Sequence, residues 1–133
     1  MKISELMATD VETLDLNDTL SLAEDLMKMK RIRHLPVTDN GELAGIISQR
    51  DMFHAGLSTA MGFGTKAKGD FLKAVLVKEI MTDKVVTIGS GADVKAAAQL
   101  MLKKKIGCLP VVDNGELIGL ISESDVIRIV AES

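Results

Sequence analysis

Aromatic residues are almost absent from this 133-residue chain, which has three Phe and neither Trp nor Tyr. Proteins that bind single-stranded nucleic acids stack the bases on aromatic side chains, so this class of function is disfavoured. The formal net charge of −3 points the same way, because nucleic-acid binders usually carry a basic excess that neutralises phosphates. We therefore expect no nucleic-acid partner.

Cysteine and histidine are scarce as well, with one cysteine and two histidines in the chain. Cys108 is the single cysteine, so no disulfide can form within the chain, and the cytoplasm is the expected compartment. His34, His54 and Cys108 do not have the paired spacing of metal ligands, so no metal site is expected. The chain also has no Gly-x-x-x-x-Gly-Lys-Ser/Thr loop and no catalytic constellation in sequence, so we expect a protein that is not an enzyme.

Long apolar runs are missing too. The longest uncharged apolar stretches fall well short of the ~18 residues that a membrane span needs. The segment Met1–Glu5 has neither the apolar core nor the small-residue cleavage site of a signal peptide. We therefore expect no membrane partner. The composition, 47% hydrophobic and 26% charged, is typical of a globular protein.

What the sequence does contain is an internal repeat. At an offset of 74 residues, 21 of the 47 positions from Glu5 to Asp51 are identical. A repeat of about 55 to 60 residues is marginal alone because small domains bury too little surface. We therefore predict one cooperative module in which two repeats pack about a pseudo-twofold axis. The predicted boundaries are 1–57 for the first repeat, 58–74 for a linker (Gly-rich, then helical) and 75–133 for the second repeat.

Each repeat predicts the order β-α-β-β-α, which makes the fold class α/β (α+β). A short β segment, 11–14 or 85–88, precedes a helix that begins near Asn17-Asp18-Thr19 or Ser90-Gly91. Apolar residues at helical spacing define one face of each helix: Leu22, Ala23, Leu26 and Met27 in the first, and Val94, Ala97, Leu100 and Met101 in the second.

An Asn-Gly dipeptide occurs at the same place in both repeats, at Asn40-Gly41 and Asn114-Gly115. This pair tolerates the positive φ angles of a type I′ turn, so each predicts a hairpin. The predicted strands are 35–38 and 43–47, then 109–112 and 117–121. Ser48 and Ser122 then stand where a closing helix would begin.

Glycine concentrates between the repeats, from Gly56 to Gly69, with Gly62 and Gly64 near the middle. Because glycine raises backbone entropy, we predict an irregular and mobile stretch there. The pattern becomes helical again from 70 to 76.

The ordered set of these features resembles a pair of CBS domains, a family named after cystathionine β-synthase. The features are the doubled β-α-β-β-α order, the hydrophobic-Pro-Val strand, the Asn-Gly hairpin and the Gly-x-x-Ser-x-x-Asp ending. The resemblance covers about residues 2–130. It implies two clefts between the repeats that bind adenosine-containing ligands, such as AMP, ADP, ATP or S-adenosylmethionine, with no cofactor required. It also implies a homodimer and a regulatory role toward a separate protein effector.

The resemblance also implies which residues bind the ligand. The motif of the family falls on Ser48 and Asp51, and on Ser122 and Asp125. Each carboxylate would accept hydrogen bonds from the ribose hydroxyls, and each Ser and helix N-terminus would face phosphate. The alternative is that Ser-x-x-Asp is only a capping box that begins a helix.

Basic residues distinguish the first repeat. Family members that bind nucleotide phosphates often have basic residues before the Leu-Pro-Val strand, and here these are Arg33 and His34, joined by Arg50. The second repeat has Gly107, Cys108 and Ser124 at the matching positions, so we expect one tighter nucleotide site per chain. The alternative is that the three basic residues are solvated surface groups.

The resemblance places adenine against the backbone around Thr13, Thr87, Pro36 and Pro110. Aliphatic side chains such as Ile32 and Ile46 would cover the faces of the base, since aromatic residues are scarce. For both threonines, a residue of high β-propensity at a strand end is an equally good explanation.

Two functions remain open at this point. The first is a sensor in which ligand binding shifts the population of states that a partner protein recognises. The second is a structural or dimerisation module without a physiological ligand. Contiguous exposed apolar surface usually marks an interface, so four apolar helix residues predict a homodimer: Met29, Leu102, Ile127 and Val130.

Overall fold

The structure is a computed structural model that describes residues 1–60 and 64–133. Five helices and two small sheets occur within these ranges. In chain order the elements are β1 (Leu14–Asp15), α1 (Leu20–Lys30), β2 (His34–Asp39), β3 (Glu42–Ser48), α2 (Gln49–Ala60), α3 (Gly64–Ala74), α4 (Val94–Lys104), β4 (Cys108–Asp113), β5 (Glu116–Ser122) and α5 (Glu123–Glu132), with 3-10 turns at Ile3–Glu5 and Val77–Glu79.

Both predicted hairpins are confirmed. Asn40 and Gly41 have φ angles of 51° and 84°, and Asn114 and Gly115 have 52° and 78°, as a type I′ turn requires. Antiparallel pairing runs from His34–Ser48 to Asp39–Glu42 in the first hairpin and from Cys108–Ser122 to Asp113–Glu116 in the second. Each strand is one residue longer at both ends than predicted.

The chain divides into two compact units. The first unit comprises Glu12–Val85. Its sheet has the order β1-β2-β3, with β1 parallel to β2. Its core contains fully buried side chains from the sheet, from α1 and from the 3-10 turn: Leu14, Leu20, Leu35, Val37, Ile47 and Val77.

The second unit comprises Met1–Val11 and Val86–Ser133. Its sheet is the β4–β5 hairpin, and an isolated parallel bridge from Ile88 to Val111 stands where the first unit has β1. Its core is built from the N-terminal turn, α4 and both strands, with these residues fully buried: Ile3, Ala97, Leu109, Val111 and Ile121.

Each unit takes the leading segment of the other sequence repeat. In the second unit, Ala8 pairs with Leu120 through two backbone hydrogen bonds of 2.9 and 3.0 Å. In the first unit, Thr82 pairs in the same way with Ile46, at 2.9 and 3.0 Å. The residues that directly follow the amphipathic pieces, Ala8 and Thr82, therefore pair with a strand of the opposite repeat, which the order of elements in the sequence does not reveal.

The predicted irregular stretch between the repeats is wrong over its described part. Helix α2 continues to Ala60, and α3 begins at Gly64; Gly62 lies outside the described residues. A glycine inside a helix costs only about 1 kcal/mol relative to alanine. Tertiary packing can offset this cost, and Leu72 of α3 is buried in the core of the first unit, with Phe71 beside it.

Three smaller expectations also need correction. Helix α4 begins at Val94 rather than near Ser90, because Asp93 is its N-cap and accepts a hydrogen bond from the N–H of Lys95 (2.8 Å). The strand β1 begins at Leu14 instead of residue 11. Leu22 is exposed rather than part of the buried face of α1. The N-cap of α1 is Thr19, one of the three residues near which the helix was predicted to begin.

Within the described ranges, every helix is too short or too polar to cross a membrane.

Candidate functional site

Five of the seven site residues predicted in the first repeat lie at one end of its hairpin, where β2 begins and β3 ends. We call this set the first edge: Arg33, His34, Ser48, Arg50 and Asp51. His34 pairs with Ser48 across the strands. The N–H of Gln49 donates to the Arg33 carbonyl at 2.9 Å, so the beginning of α2 is fixed against the chain that enters β2.

Ser48 and Asp51 form a capping box. The N–H of Ser48 donates to Asp51 Oδ2, and the N–H of Asp51 donates to Ser48 Oγ, both at 3.0 Å. The capping interpretation is therefore correct for this pair. It does not displace the ligand interpretation, because an ionised carboxylate has about four acceptor positions.

The basic side chains of the first edge are accessible. Arg33 and Arg50 are exposed, and His34 is half-buried at the start of β2. Arg50 Nε donates to His54 Nε2 one helical turn later, at 3.5 Å, the outer limit of a hydrogen bond. Arg33 thus immediately precedes β2, and Arg50 lies in the first turn of α2 next to Asp51. Two cationic residues beside one carboxylate residue are a set of residue types that suits a phosphorylated ligand.

The same backbone arrangement occurs in the second unit, and we call this set the second edge: Gly107, Cys108, Ser122, Glu123 and Asp125. Cys108 pairs with Ser122, and the N–H of Glu123 donates to the Gly107 carbonyl at 2.9 Å. Asp125 Oδ2 accepts from the N–H of Ser122 (2.9 Å) and from its Oγ (3.0 Å).

The second edge differs from the first in what surrounds its aspartate. Asp125 Oδ1 lies 3.4 Å from Arg128 Nη1, and Ser124 contacts Ser122 through the two hydroxyls (3.0 Å). Both oxygens of Asp125 therefore have partners within its own helix turn. A ligand at this edge has to share Asp125 with Arg128.

Cys108 is a buried core residue with 5% of its surface exposed. Burial, and to a lesser extent the charge of Asp125, raise the pKa of its thiol to about 12. The thiol is thus neutral at physiological pH. A neutral, buried thiol is a poor nucleophile.

The predicted adenine-binding residues lie beside the parallel pairing of each unit, the β1–β2 pair in the first and the isolated Ile88–Val111 bridge in the second. Thr13 immediately precedes Leu14, which pairs with Val37, the residue after Pro36. Thr87 immediately precedes Ile88, whose N–H donates to the Pro110 carbonyl at 3.1 Å. Both threonines are exposed, and both prolines are buried within their strands.

The two aliphatic residues proposed to cover adenine have structural contacts of their own. Ile32 packs against the core of the first unit, and the backbone of Ile46 pairs with Thr82. Both side chains are half-buried.

Sequence reasoning missed Glu123. A Cβ placed on Gly107 would lie 3.1 Å from Glu123 Oε1, so this carboxylate lies across the glycine. The matching residue of the first repeat is Gln49. The substitution of Gln by Glu was visible in the alignment of the repeats, but the proximity of Glu123 to Gly107 requires the fold.

Comparison with known proteins gives a consistent result. The CBS domain family model matches residues 3–58 and 77–132. A CBS domain-containing protein of Dictyostelium discoideum is 35% identical over 130 residues, which cover 96% of this chain and 90% of the relative.

Two solved structures are similar over nearly the whole chain. The first is the CBS domain pair of protein MJ0100, in complex with 5′-methylthioadenosine and S-adenosyl-L-methionine. Its TM-score is 0.81 and its identity 25%, with 99% of this chain and 97% of that chain covered. The second is protein MJ1225 of Methanocaldococcus jannaschii, described as a putative archaeal homolog of g-AMPK. Its TM-score is 0.82 and its identity 30%, with 97% of this chain but only 47% of that chain covered.

Proposed function

The chain belongs to the CBS domain family, and from this premise we propose that it is a regulatory module that binds an adenosine-containing ligand and signals to a protein effector. CBS domain pairs are generally non-catalytic regulatory modules. A structural neighbour that binds S-adenosylmethionine and methylthioadenosine supports an adenosine-type ligand. The neighbour described as a putative archaeal homolog of g-AMPK supports a partner protein.

One observation carries the proposal: the same edge is built twice. In each unit a half-buried aspartate lies in the first turn of a helix, directly beside the end of the hairpin. We propose that Asp51 and Asp125 accept hydrogen bonds from ribose hydroxyls while they also cap α2 and α5. Thr13, Pro36, Thr87 and Pro110 provide the backbone beside which adenine binds.

We further propose that the first edge recognises phosphate. Arg33 and Arg50 bring two positive charges, and His34 adds a ring at the strand entry. A hydrogen bond to a charged group contributes about 1.5–3 kcal/mol. AMP, ADP or ATP are therefore the ligands that this edge fits best.

The experiment is calorimetric titration of the protein with adenosine, AMP, ATP and S-adenosylmethionine. In the Asp51→Asn/Asp125→Asn variant each side chain keeps an oxygen that can cap the helix, but the charge that faces ribose is lost. We expect at least tenfold weaker binding with little loss of stability. The matched control is Glu42→Gln/Glu116→Gln, which removes two exposed carboxylates at the opposite ends of β3 and β5. The proposal fails if no adenosine compound binds, or if both double variants bind as the original protein does.

A structural module without a physiological ligand is the second candidate, because the apolar helix residues predicted to form an interface are indeed exposed. Met29 is 69% exposed, Leu102 80% and Val130 74%. We propose that such residues form a homodimer. A homodimer can also bind a ligand, so dimerisation alone does not separate the two functions. The titration above does, because only the regulatory module is expected to bind an adenosine compound.

A further inference from the structure

The two edges share a backbone but differ in charge. The first edge contains two arginines, Arg33 and Arg50, and one carboxylate, Asp51. The second edge contains two carboxylates, Glu123 and Asp125, and Arg128 of α5 lies beside it with its guanidinium 3.4 Å from Asp125. With histidine neutral and Arg128 counted, the net charge is +1 at the first edge and −1 at the second.

The basic end of the preceding helix does not cause this difference. Lys104 and Lys105, at the end of α4, repeat Lys30 and Arg31 at the end of α1. Cys108, which replaces His34, is a neutral thiol and adds no positive charge. The contrast between the edges thus comes from the residues at the strand entry and at the helix start.

The carboxylate of Glu123 is placed to face a ligand that binds at the second edge. Its backbone N–H is bonded to the Gly107 carbonyl, and its carboxylate lies where a side chain on residue 107 would begin, 3.1 Å from the ideal Cβ position. Arg33 is the residue that matches Gly107 in the first unit. The first edge therefore has a cationic side chain at position 33. At the matching position 107 of the second edge there is no side chain, and the Glu123 carboxylate lies beside it.

We infer that Glu123 is a specificity-determining residue that makes the second edge disfavour phosphorylated adenosine ligands and favour one that carries a positive charge, such as a sulfonium nucleoside. This inference rests on the proposed function. The reason is electrostatic: a phosphate at this edge would meet two carboxylates and one guanidinium, whereas the first edge has one carboxylate and two guanidinium groups. Because Glu123 is exposed, solvent screening keeps the expected effect to about three- to tenfold in affinity.

The test is an NMR titration of the full chain, because the amide signals of residues 48–51 and 122–125 report binding at each edge separately. The variant is Glu123→Gln, which gives the second edge the residue that the first edge has at Gln49. The ligand pairs are AMP with adenosine, which differ in phosphate, and S-adenosylmethionine with S-adenosylhomocysteine, which differ in the methyl group that makes the sulfur a cation.

At the second edge, Glu123→Gln should strengthen AMP binding about three- to tenfold and leave adenosine within about twofold. The preference for S-adenosylmethionine over S-adenosylhomocysteine should fall by a similar factor. The reciprocal variant, Gln49→Glu, should weaken AMP relative to adenosine at the first edge. Both effects should shrink in 0.5 M NaCl, because salt screens exposed charges.

A purely structural role for Glu123, which also favours the helix dipole of α5, would change stability but not these ratios. Unchanged ratios in Glu123→Gln would overturn the inference and leave the proposed function intact. So would adenosine binding at the first edge with no binding at the second in either protein. If none of the four compounds shifts either group of amides, the proposed function itself is wrong.

Discussion

Replacement of Gly45 by alanine should destabilise the first unit strongly for so small a change. Gly45 is buried in β3, opposite the segment that the second repeat contributes. A Cβ at this position would lie 2.5 Å from Met81 Sδ and 2.9 Å from the Thr82 carbonyl oxygen. The side chain of Met81 can move, but the Thr82 carbonyl is held by its hydrogen bond from the N–H of Ile46 (3.0 Å).

The expected change in the free energy of unfolding combines two destabilising contributions and one stabilising contribution. Overpacking of a buried site costs about 1–3 kcal/mol. If residues 81–82 move away, the two backbone bonds between Ile46 and Thr82 are lost, at about 0.5–1.5 kcal/mol each. The restricted unfolded chain returns about 0.4–1 kcal/mol. We therefore expect the free energy of unfolding to fall by about 2–4 kcal/mol.

Urea denaturation followed by circular dichroism measures this change. The matched control is Gly69→Ala, where a helical glycine has no atom within 4 Å of its ideal Cβ; this variant should stabilise the protein by up to about 1 kcal/mol. In a double-mutant cycle with Met81→Ala, part of the cost of Gly45→Ala should disappear, and the part due to the Thr82 carbonyl should remain. Equal stability of Gly45→Ala and the original protein would refute the close packing of this segment.

The parts of the fold that the sequence predicts are those specified by local chemistry. The Asn-Gly pairs predict both hairpins because few other residues accept two consecutive positive φ angles. Thr19 predicts the start of α1 because its hydroxyl can accept a hydrogen bond from the Leu22 N–H, at 3.3 Å in the structure. In such cases the partner lies within three or four residues, so the sequence alone contains the information.

The errors arise where the partner is distant. Ala8 pairs with Leu120 and Thr82 pairs with Ile46, and nothing in the sequence near either residue identifies that partner. The only trace of these contacts in the sequence is a glycine in each partner strand. Gly119 and Gly45 have no side chain, and a Cβ at either position would collide with the segment that contains Ala8 or Thr82. The irregular stretch predicted from Gly56 to Gly69 is wrong over its described part, because glycine content measures local preference, which the packing of α3 overrides.

The candidate site was predicted in part for the same reason. The motif Ser-x-x-Asp identifies both capping boxes, and both form. Glu123 lies outside this motif, and its proximity to Gly107, sixteen positions earlier, arises only because the hairpin brings the two residues together.

The remaining predictions concern the ligand, the assembly and the buried thiol. The Arg33→Gly/His34→Cys variant gives the first edge the residues that the second edge has at these two positions. In calorimetry, its affinity for AMP should fall at least tenfold, while its affinity for adenosine should change little. Equal losses of affinity for both ligands would contradict phosphate recognition at this edge. Sedimentation at micromolar concentration should show a dimer with about twice the 14.3 kDa mass of the chain. The Ile127→Asp variant should be a monomer. A particle of about 14 kDa in the original protein would refute the interface. For Cys108, burial raises the pKa of the thiol from about 9 in the unfolded chain to about 12 in the folded protein, so between these pH values the folded protein keeps a proton that the unfolded chain has lost. Because the folded state then binds more protons, stability falls as pH rises through this window. Between pH 7 and 10.5 the original protein should lose about 2 kcal/mol more than Cys108→Ala, since one pKa unit corresponds to about 1.4 kcal/mol. Parallel pH profiles of the two proteins in urea denaturation would show that the thiol is not shielded from solvent as the structure indicates.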